Sequence, residues 1–460
     1  MKGFVETPTT VTQQMVSRLF DGHPPAADDR ILFPGCGETA PFIQAVADYC
    51  AKHSTPMPEG VAFETHPDRC VAASQVHSEK PVTFRNEDFL QNHSDLGEFE
   101  YIVGNPPYVP IENIEQKDTY RDRFQTAEGR FDLYILFYEQ AIELLADGGR
   151  LCFITPEKFE YTETAGSLRQ LLTTHHVESI EHLSEDAFPG YITYPTVSTI
   201  AATEPGPTKV IRRDGSTETV TLPTDGSSWA ATIRDVEGAT LDSGVTLGDV
   251  TERVSCGIAT GRDGIFVKPD IDQDGQYTVP PQLVEDGWTY PTISGKQLRA
   301  NGGPHPEDVI ICPYDDRGNL IAASELGAFG DWASLHRDEL ESRSCVKTDG
   351  KPWYSWHETP PMEDIIGQDK ILCSDVAKEP EFWLDDGGEI LPRHSVYYIV
   401  PDPAVDQTRL LSYLNGAQAR AWLEANCQRA SSGYLRLQST VLKELPVPEE
   451  LGQTKQTTIT

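Results

Sequence analysis

The segment Tyr101-Ile102-Val103-Gly104-Asn105-Pro106-Pro107-Tyr108 carries the sharpest chemical signal in the chain. Its first residues read as a strand. Two prolines then fix the backbone dihedrals, and an aromatic residue follows. A turn this rigid aims the Asn105 amide and the Pro106 carbonyl at one place. Two convergent acceptors can hold both hydrogens of an NH2 group. Tyr108 adds a flat face on which a planar ring can stack, an interaction worth about 1–3 kcal/mol per base. On pattern alone, the segment is also readable as a proline-rich turn with an aromatic cap.

Such a turn needs a sheet to hold it, and the first half of the chain supplies one. Arg30 to Phe33, Val61 to Glu64, Val82 to Phe84, Tyr101 to Val103 and Arg150 to Ile154 read as short strands. Thr12 to Phe20, Pro41 to Ala51 and Pro67 to His77 read as helices between them. Leu133 to Leu145 reads as a long amphipathic helix with Asp147-Gly148-Gly149 as its stop signal. Strands alternating with helices predict an α/β domain with a mostly parallel sheet. Residues 202–245 are rich in Thr, Gly, Ser, Pro and Asp and read as a hairpin and linker. Beyond them come short strands and loops with many aromatics, then helical periodicity from Arg409 to Asn426. The expected organisation is therefore a domain at 1–240, a second at 241–450 and a polar tail at 451–460.

Several residues near these strand ends could serve a ligand. Pro34-Gly35-Cys36-Gly37 lies between a strand and a helix, and is equally an ordinary strand–helix turn. Glu64 and Asp88 fall at strand ends, where ionised carboxylates offer acceptors only. Each also reads as a solvated loop acid. Phe188 reads as core by residue type, yet the following Pro189, Gly190 and Tyr191 imply a loop holding an exposed aromatic.

Together these segments resemble the gamma-class, TaqI-like N6-adenine DNA methyltransferases of restriction-modification systems. Asn105-Pro106-Pro107-Tyr108 matches the catalytic motif of that family, and the resemblance also places Asn105 among the cofactor-binding residues. Glu6-Thr7-Pro8 matches the segment closing over the methionine part of S-adenosylmethionine. Pro34 to Gly37 matches the cofactor loop, Glu64 the acid on the ribose hydroxyls, and Asp88-Phe89 the site of the cofactor's adenine. Phe131-Asp132-Leu133-Tyr134 resembles a helix start whose later aromatic, Phe137, lines that adenine. Phe188 resembles the residue that stacks on the flipped target base opposite Tyr108. The order of motifs is the gamma order, and the resemblance is strong to about residue 200 and looser beyond.

The resemblance implies a Rossmann-like S-adenosylmethionine-dependent methyltransferase domain followed by an α+β target-recognition domain. It implies double-stranded DNA as partner, no metal, a monomer, and a possible separate restriction endonuclease. One departure stands out. The family usually carries an acid two residues before the first loop glycine, where this chain has Phe33; Glu38 is a candidate substitute. In the second half, Gly257 to Arg262, Ile293 to Arg299 and Gly433 to Gln438 resemble recurrent recognition-domain segments. Arg262, Lys296, Arg299, Arg436 and Lys443 could meet phosphates, and each is also readable as a solvent-facing charge. Glu115-Gln116-Lys117 has a nuclease-like spacing but reads as a charged loop.

Other readings share the motif. A base in RNA or a glutamine amide in a release factor also presents a planar NH2. A catalytically retired interaction module would keep the fold. The catalytic motif argues against the last, and the length beyond the catalytic fold argues against the glutamine enzyme.

Composition fits these readings in an unusual way. Lys and Arg number 37 against 72 Asp and Glu, a net charge of −35 spread along all 460 residues. Nucleic-acid binders usually show a basic stripe. A uniform acidic excess looks instead like the surface of a halophile's protein, where carboxylates hold water and cations. At about 1 M salt the Debye length is only about 3 Å, so acidity does not exclude DNA. Nine scattered cysteines without zinc spacing read as reduced thiols of a cytosolic protein. Neither a signal-peptide core nor an eighteen-residue apolar run is present, so a cytoplasmic protein is expected.

Overall fold

The computed structural model describes residues 6–452 apart from 92, 94, 189–193, 235, 237–242, 271–277, 431 and 432. The chain divides into two compact units, Met1–Asp235 and Val236–Thr460. Residues 453–460 of the expected tail and Pro189, Gly190 and Tyr191 lie outside the described residues.

The first unit is built on strands β1 (Arg30–Phe33), β2 (Glu59–Phe63), β3 (Val82–Arg85), β4 (Phe99–Gly104), β5 (Leu145–Pro156), β6 (His176–His182), β7 (Pro195–Ala201), β8 (Thr208–Ile211) and β9 (Thr217–Val220). They form one nine-stranded sheet in the order β3-β2-β1-β4-β5-β7-β6-β8-β9. β1 to β5 pair in parallel, whereas β7 is antiparallel to both β5 and β6. The central strands β1, β4, β5 and β7 are buried along most of their length, as expected of strands covered on both faces. Leu32, Ile102, Leu151 and Phe153 belong to one buried cluster. Their neighbours Ile31, Phe33, Tyr101, Val103, Cys152 and Ile154 belong to another. That alternation is the period of two that sends successive side chains to opposite faces.

Helices α1 (Thr9–Leu19), α2 (Pro41–His53) and α3 (Pro67–Val76) precede and connect the early strands. Val11, Met15, Val16 and Leu19 make the buried stripe of α1. Pro41 opens α2, where its missing N–H costs nothing. After β4 come α4 (Lys117–Arg123) and α5 (Leu133–Glu143). Glu139 on α5 accepts the Gln125 and Thr126 N–H groups at 2.8 Å each, holding the chain that leaves α4.

One expected signal did different work. Asp147-Gly148-Gly149 does not stop α5, which ends at Glu143; it lies inside β5. There the ladder slips, with Leu145 opposite Phe99 but Arg150 opposite Tyr101. A side chain at Gly149 would place its Cβ 2.8 Å from the Ala146 carbonyl, so the irregularity requires glycine.

The second unit is α+β. Thr251–Cys256, Val396–Pro401, Lys370–Ser374 and Phe382–Asp385 form an antiparallel four-stranded sheet, and another four-stranded and a three-stranded sheet accompany it. Lys370 is fully buried against Asp385 at 2.5 Å and donates to the Ile365 carbonyl at 2.8 Å. The expected helix from Arg409 to Asn426 is two helices, Gln407–Leu414 and Ala417–Asn426. Asn415 breaks it by exchanging two hydrogen bonds with the Phe382 backbone, at 2.9 and 3.0 Å. No helix among the described residues is long and apolar enough to cross a membrane.

Candidate active site

Chain order reverses between β1 and β4, which lie side by side in the sheet. In open α/β sheets the crevice beyond the carboxyl ends of strands at such a point is where ligands bind. A cavity of about 840 Å³ occupies that place. It is lined by Gly35 after β1, Glu64 after β2, Asp88 and Phe89 after β3, and Asn105 to Tyr108 after β4. Phe137 of α5 closes part of the wall.

The loop after β1 is held from two sides. Gly35 and Gly37 adopt φ of 69° and 73°, a region that disfavours side chains. Glu64 is buried and accepts the Gly37 N–H at 3.1 Å and the His66 N–H at 2.8 Å. Gly104 stands where β4 passes Pro34, and a Cβ there would lie 3.1 Å from the Pro34 carbonyl oxygen. Burial, then the Glu64 carboxylate, pushes the Cys36 thiol up to about 12. Asn86 donates to the Glu64 and Thr65 carbonyls at 2.8 and 3.0 Å, tying the ends of β2 and β3 together.

Asp88 is half-buried; its Oδ1 accepts the Leu90 N–H at 2.9 Å and its Oδ2 the Tyr120 hydroxyl at 2.8 Å. The Phe89 ring sits 5.6 Å from Phe63 and 5.2 Å from Phe137. The cavity lining thus combines an aromatic cluster with the Glu64 and Asp88 carboxylates.

Asn105 Nδ2 donates to Thr7 Oγ1 at 3.0 Å. Tyr108 is half-buried, and its hydroxyl donates to the Ile154 carbonyl of β5 at 3.2 Å. Burial holds that hydroxyl far above the usual tyrosine range. The ring meets Tyr134 edge-on at 6.3 Å. Beyond the turn, the Leu133 N–H donates to the Val109 carbonyl at 2.9 Å, fixing the chain to the start of α5.

Gly35, Glu64, Asp88, Phe89, Asn105, Pro106, Pro107, Tyr108 and Phe137 therefore share one cavity. Thr7, Pro34 and Gly37 stand outside its lining, though Thr7 bonds Asn105 and Gly37 bonds Glu64. One expectation is corrected, the exposure of Phe188. Phe188 is only 2% exposed and lies in the buried cluster containing Ile154 and Val197, not at the cavity. Its apolar ring gains more from that core than from an exposed loop. Glu38 is exposed and outside the lining. Phe33 is buried in the core.

Sequence reasoning missed Gly104, Gln116 and Tyr120. Glu115 and Gln116 line the cavity, so their segment is more than a charged loop. Of the expected phosphate contacts, Lys296, Arg436 and Lys443 are exposed. Arg262 pairs with Glu339 at 3.0 Å, and Arg299 donates to Ser374 Oγ and the Val376 carbonyl.

The residues present suit S-adenosylmethionine. An aromatic slot fits a purine, carboxylates at the strand ends suit hydroxyl and amino donors, and glycines let the backbone approach closely.

Comparison with known proteins points the same way. Residues 63–188 match the family described as Eco57I restriction-modification methylase. The chain is 27% identical over 390 residues to the type II methyltransferase M.PaeR7I of Pseudomonas aeruginosa, across 76% of this chain and 65% of that protein. It is 34% identical over 379 residues to the type II restriction enzyme and methyltransferase RM.Eco57I of Escherichia coli, across 68% of this chain and 38% of that protein. The chain thus spans 65% of the length of the first relative and 38% of the second. Among solved structures, it resembles the type IIL restriction-modification enzyme MmeI in complex with DNA. The TM-score is 0.65 at 12% identity, over 98% of this chain and 65% of that one. At that identity the likeness shows the fold alone, and it agrees with the expected α/β architecture.

Proposed function

We propose that this chain, a relative of type II restriction-modification methyltransferases, is a site-specific DNA methyltransferase. It uses S-adenosylmethionine to methylate the exocyclic amino group of an adenine flipped out of duplex DNA. The observation that carries the reading is that Asn105-Pro106-Pro107-Tyr108 line the same cavity as Glu64 and Asp88.

S-adenosylmethionine supplies an electrophilic methyl group when bound. Glu64 and Asp88 hold its nucleoside through their acceptors, and Phe89 and Phe137 enclose the purine. Asn105 and the Pro106 carbonyl accept the two hydrogens of the target amino group. Those bonds draw the nitrogen lone pair out of conjugation and orient it. Fixed dipoles at the turn stabilise positive charge developing on that nitrogen without reorganising. Flipping the base costs a few kcal/mol, and stacking on Tyr108 returns about 1–3 kcal/mol of it.

The second unit acts as the recognition domain, with exposed Lys296, Arg436 and Lys443 toward phosphates and Arg262 able to exchange Glu339 for one. Arg299, already bound to Ser374 and Val376, shapes that surface. The chain works as a monomer in the cytoplasm of a halophile, with a separate restriction endonuclease as its counterpart.

Replacing Asn105 tests the reading. Asn105→Ala should abolish methyl transfer while largely sparing S-adenosylhomocysteine affinity, within about threefold. Full activity in that variant would overturn it.

A further inference from the structure

One side chain in the cavity wall is placed to govern how Asp88 acts. Tyr120, on α4, is 7% exposed and lines the cavity. Its hydroxyl lies 2.8 Å from Asp88 Oδ2 and 3.0 Å from Gln116 Oε1. A hydroxyl has one proton to give, and the ionised acceptor binds it more strongly. The Gln116 amide then turns its NH2 toward the Tyr120 oxygen, an exchange of nitrogen and oxygen that leaves its shape unchanged. A directed chain results, from Gln116 through Tyr120 to Asp88.

Three further contacts make this chain rigid. The Leu90 N–H holds the other Asp88 oxygen at 2.9 Å. Arg123, also on α4, donates to the Leu90 carbonyl at 2.5 Å. His93 Nε2 lies 2.9 Å from the Asp88 carbonyl. Each carboxylate oxygen keeps a second acceptor site, but the group cannot rotate without breaking a bond. Burial and the neighbouring Asp88 carboxylate hold the Tyr120 hydroxyl protonated far above the ordinary tyrosine range. Tyr120 is therefore a donor at neutral pH.

We propose that Tyr120 is a positioning residue for nucleoside recognition. It fixes Asp88 as an acceptor aimed at the exocyclic amino group of the cofactor's adenine. Through Gln116 it ties that recognition to the chain leaving the Asn105–Tyr108 turn. The inference rests on the function proposed above. A nucleoside with a 6-oxo group in place of the amino group offers Asp88 no donor, so the rigidity of the acceptor sets selectivity between the two.

The test uses the full chain and measures calorimetric affinities for S-adenosylhomocysteine and its 6-oxo counterpart, S-inosylhomocysteine. Tyr120→Phe keeps the buried ring and removes the hydroxyl. It should weaken S-adenosylhomocysteine by about tenfold, the scale of one hydrogen bond to a charged group. Affinity for the 6-oxo ligand should stay within about twofold. Gln116→Ala, at an exposed position, should narrow the preference in the same direction by about threefold. If Tyr120→Phe fails to fold, Gln116→Ala alone decides. Equal losses for both ligands, or an unchanged preference in a wild type that discriminates, would overturn the role of Tyr120 alone. A wild type that binds neither ligand would overturn the proposed function with it.

Discussion

Asn105 and Thr7 are 98 residues apart in sequence, and the Asn105 amide donates to the Thr7 hydroxyl at 3.0 Å. In this arrangement the Asn105 NH2 faces Thr7 and its oxygen points away from that hydroxyl. Thr7→Val removes that acceptor and keeps the volume. Turnover should fall by about ten- to hundredfold, the range of about 1–3 kcal/mol for a buried donor deprived of its partner. The Michaelis constant for cofactor should change far less, and Thr7→Ser should restore most of the rate. Steady-state methyl transfer by the three proteins checks this, and an unchanged turnover in Thr7→Val would remove Thr7 from the site.

Gly104 lets β4 pass the loop after β1. A Cβ would lie 3.1 Å from the Pro34 carbonyl oxygen and 3.5 Å from the proline ring. Gly104→Ala must displace either Asn105 or the cofactor loop. A destabilisation of about 1–3 kcal/mol is expected, with weakened cofactor binding. Urea unfolding and calorimetry would report both, and a variant matching wild type in each would refute the close approach.

What was legible in the sequence, and what was not, follows from where the information sits. Strand and helix positions came from local periodicity, so β1 and α2 start where they were expected. The Asn105–Tyr108 turn was legible because prolines constrain the backbone whatever surrounds them. Phe188 was misread because its burial depends on the side chains around it, which no local pattern records. Asp147-Gly148-Gly149 was misread because glycine serves a helix end and a strand irregularity equally well. Tyr120 was invisible because its partner Asp88 lies 32 residues away and nothing in its own helix marks the pairing.

Cys36 offers a test through pH. Burial first, then Glu64, raises its thiol from an ordinary 9.0 to about 12. The folded state therefore keeps this proton longer than the unfolded chain. Below the unfolded value the group has no effect; between that value and about 12, stability should fall as pH rises. The fall is at most about 1.4 kcal/mol per pH unit from this one group. Urea midpoints measured on the alkaline side should drop more steeply for wild type than for Cys36→Ala. Parallel curves would show that the thiol is not buried as described.

A net charge of −35 makes salt a direct probe of the surface. Raising KCl from about 0.1 M to about 1 M shortens the Debye length from about 10 Å to about 3 Å, so self-repulsion weakens. Tm should rise over that range. DNA affinity should decline with salt less steeply than for a basic binder, whose affinity rests on counterion release. A falling Tm or a steep affinity loss would contradict the halophilic reading.

Identifying the methylated group tests the central claim most directly. Labelled S-adenosylmethionine would be incubated in high salt with unmethylated duplex DNA, RNA and a release factor, with Asn105→Ala alongside. The expected result is label on the adenine amino group of DNA and none in the variant. Label on RNA or protein instead, or label on DNA that survives Asn105→Ala, would contradict it.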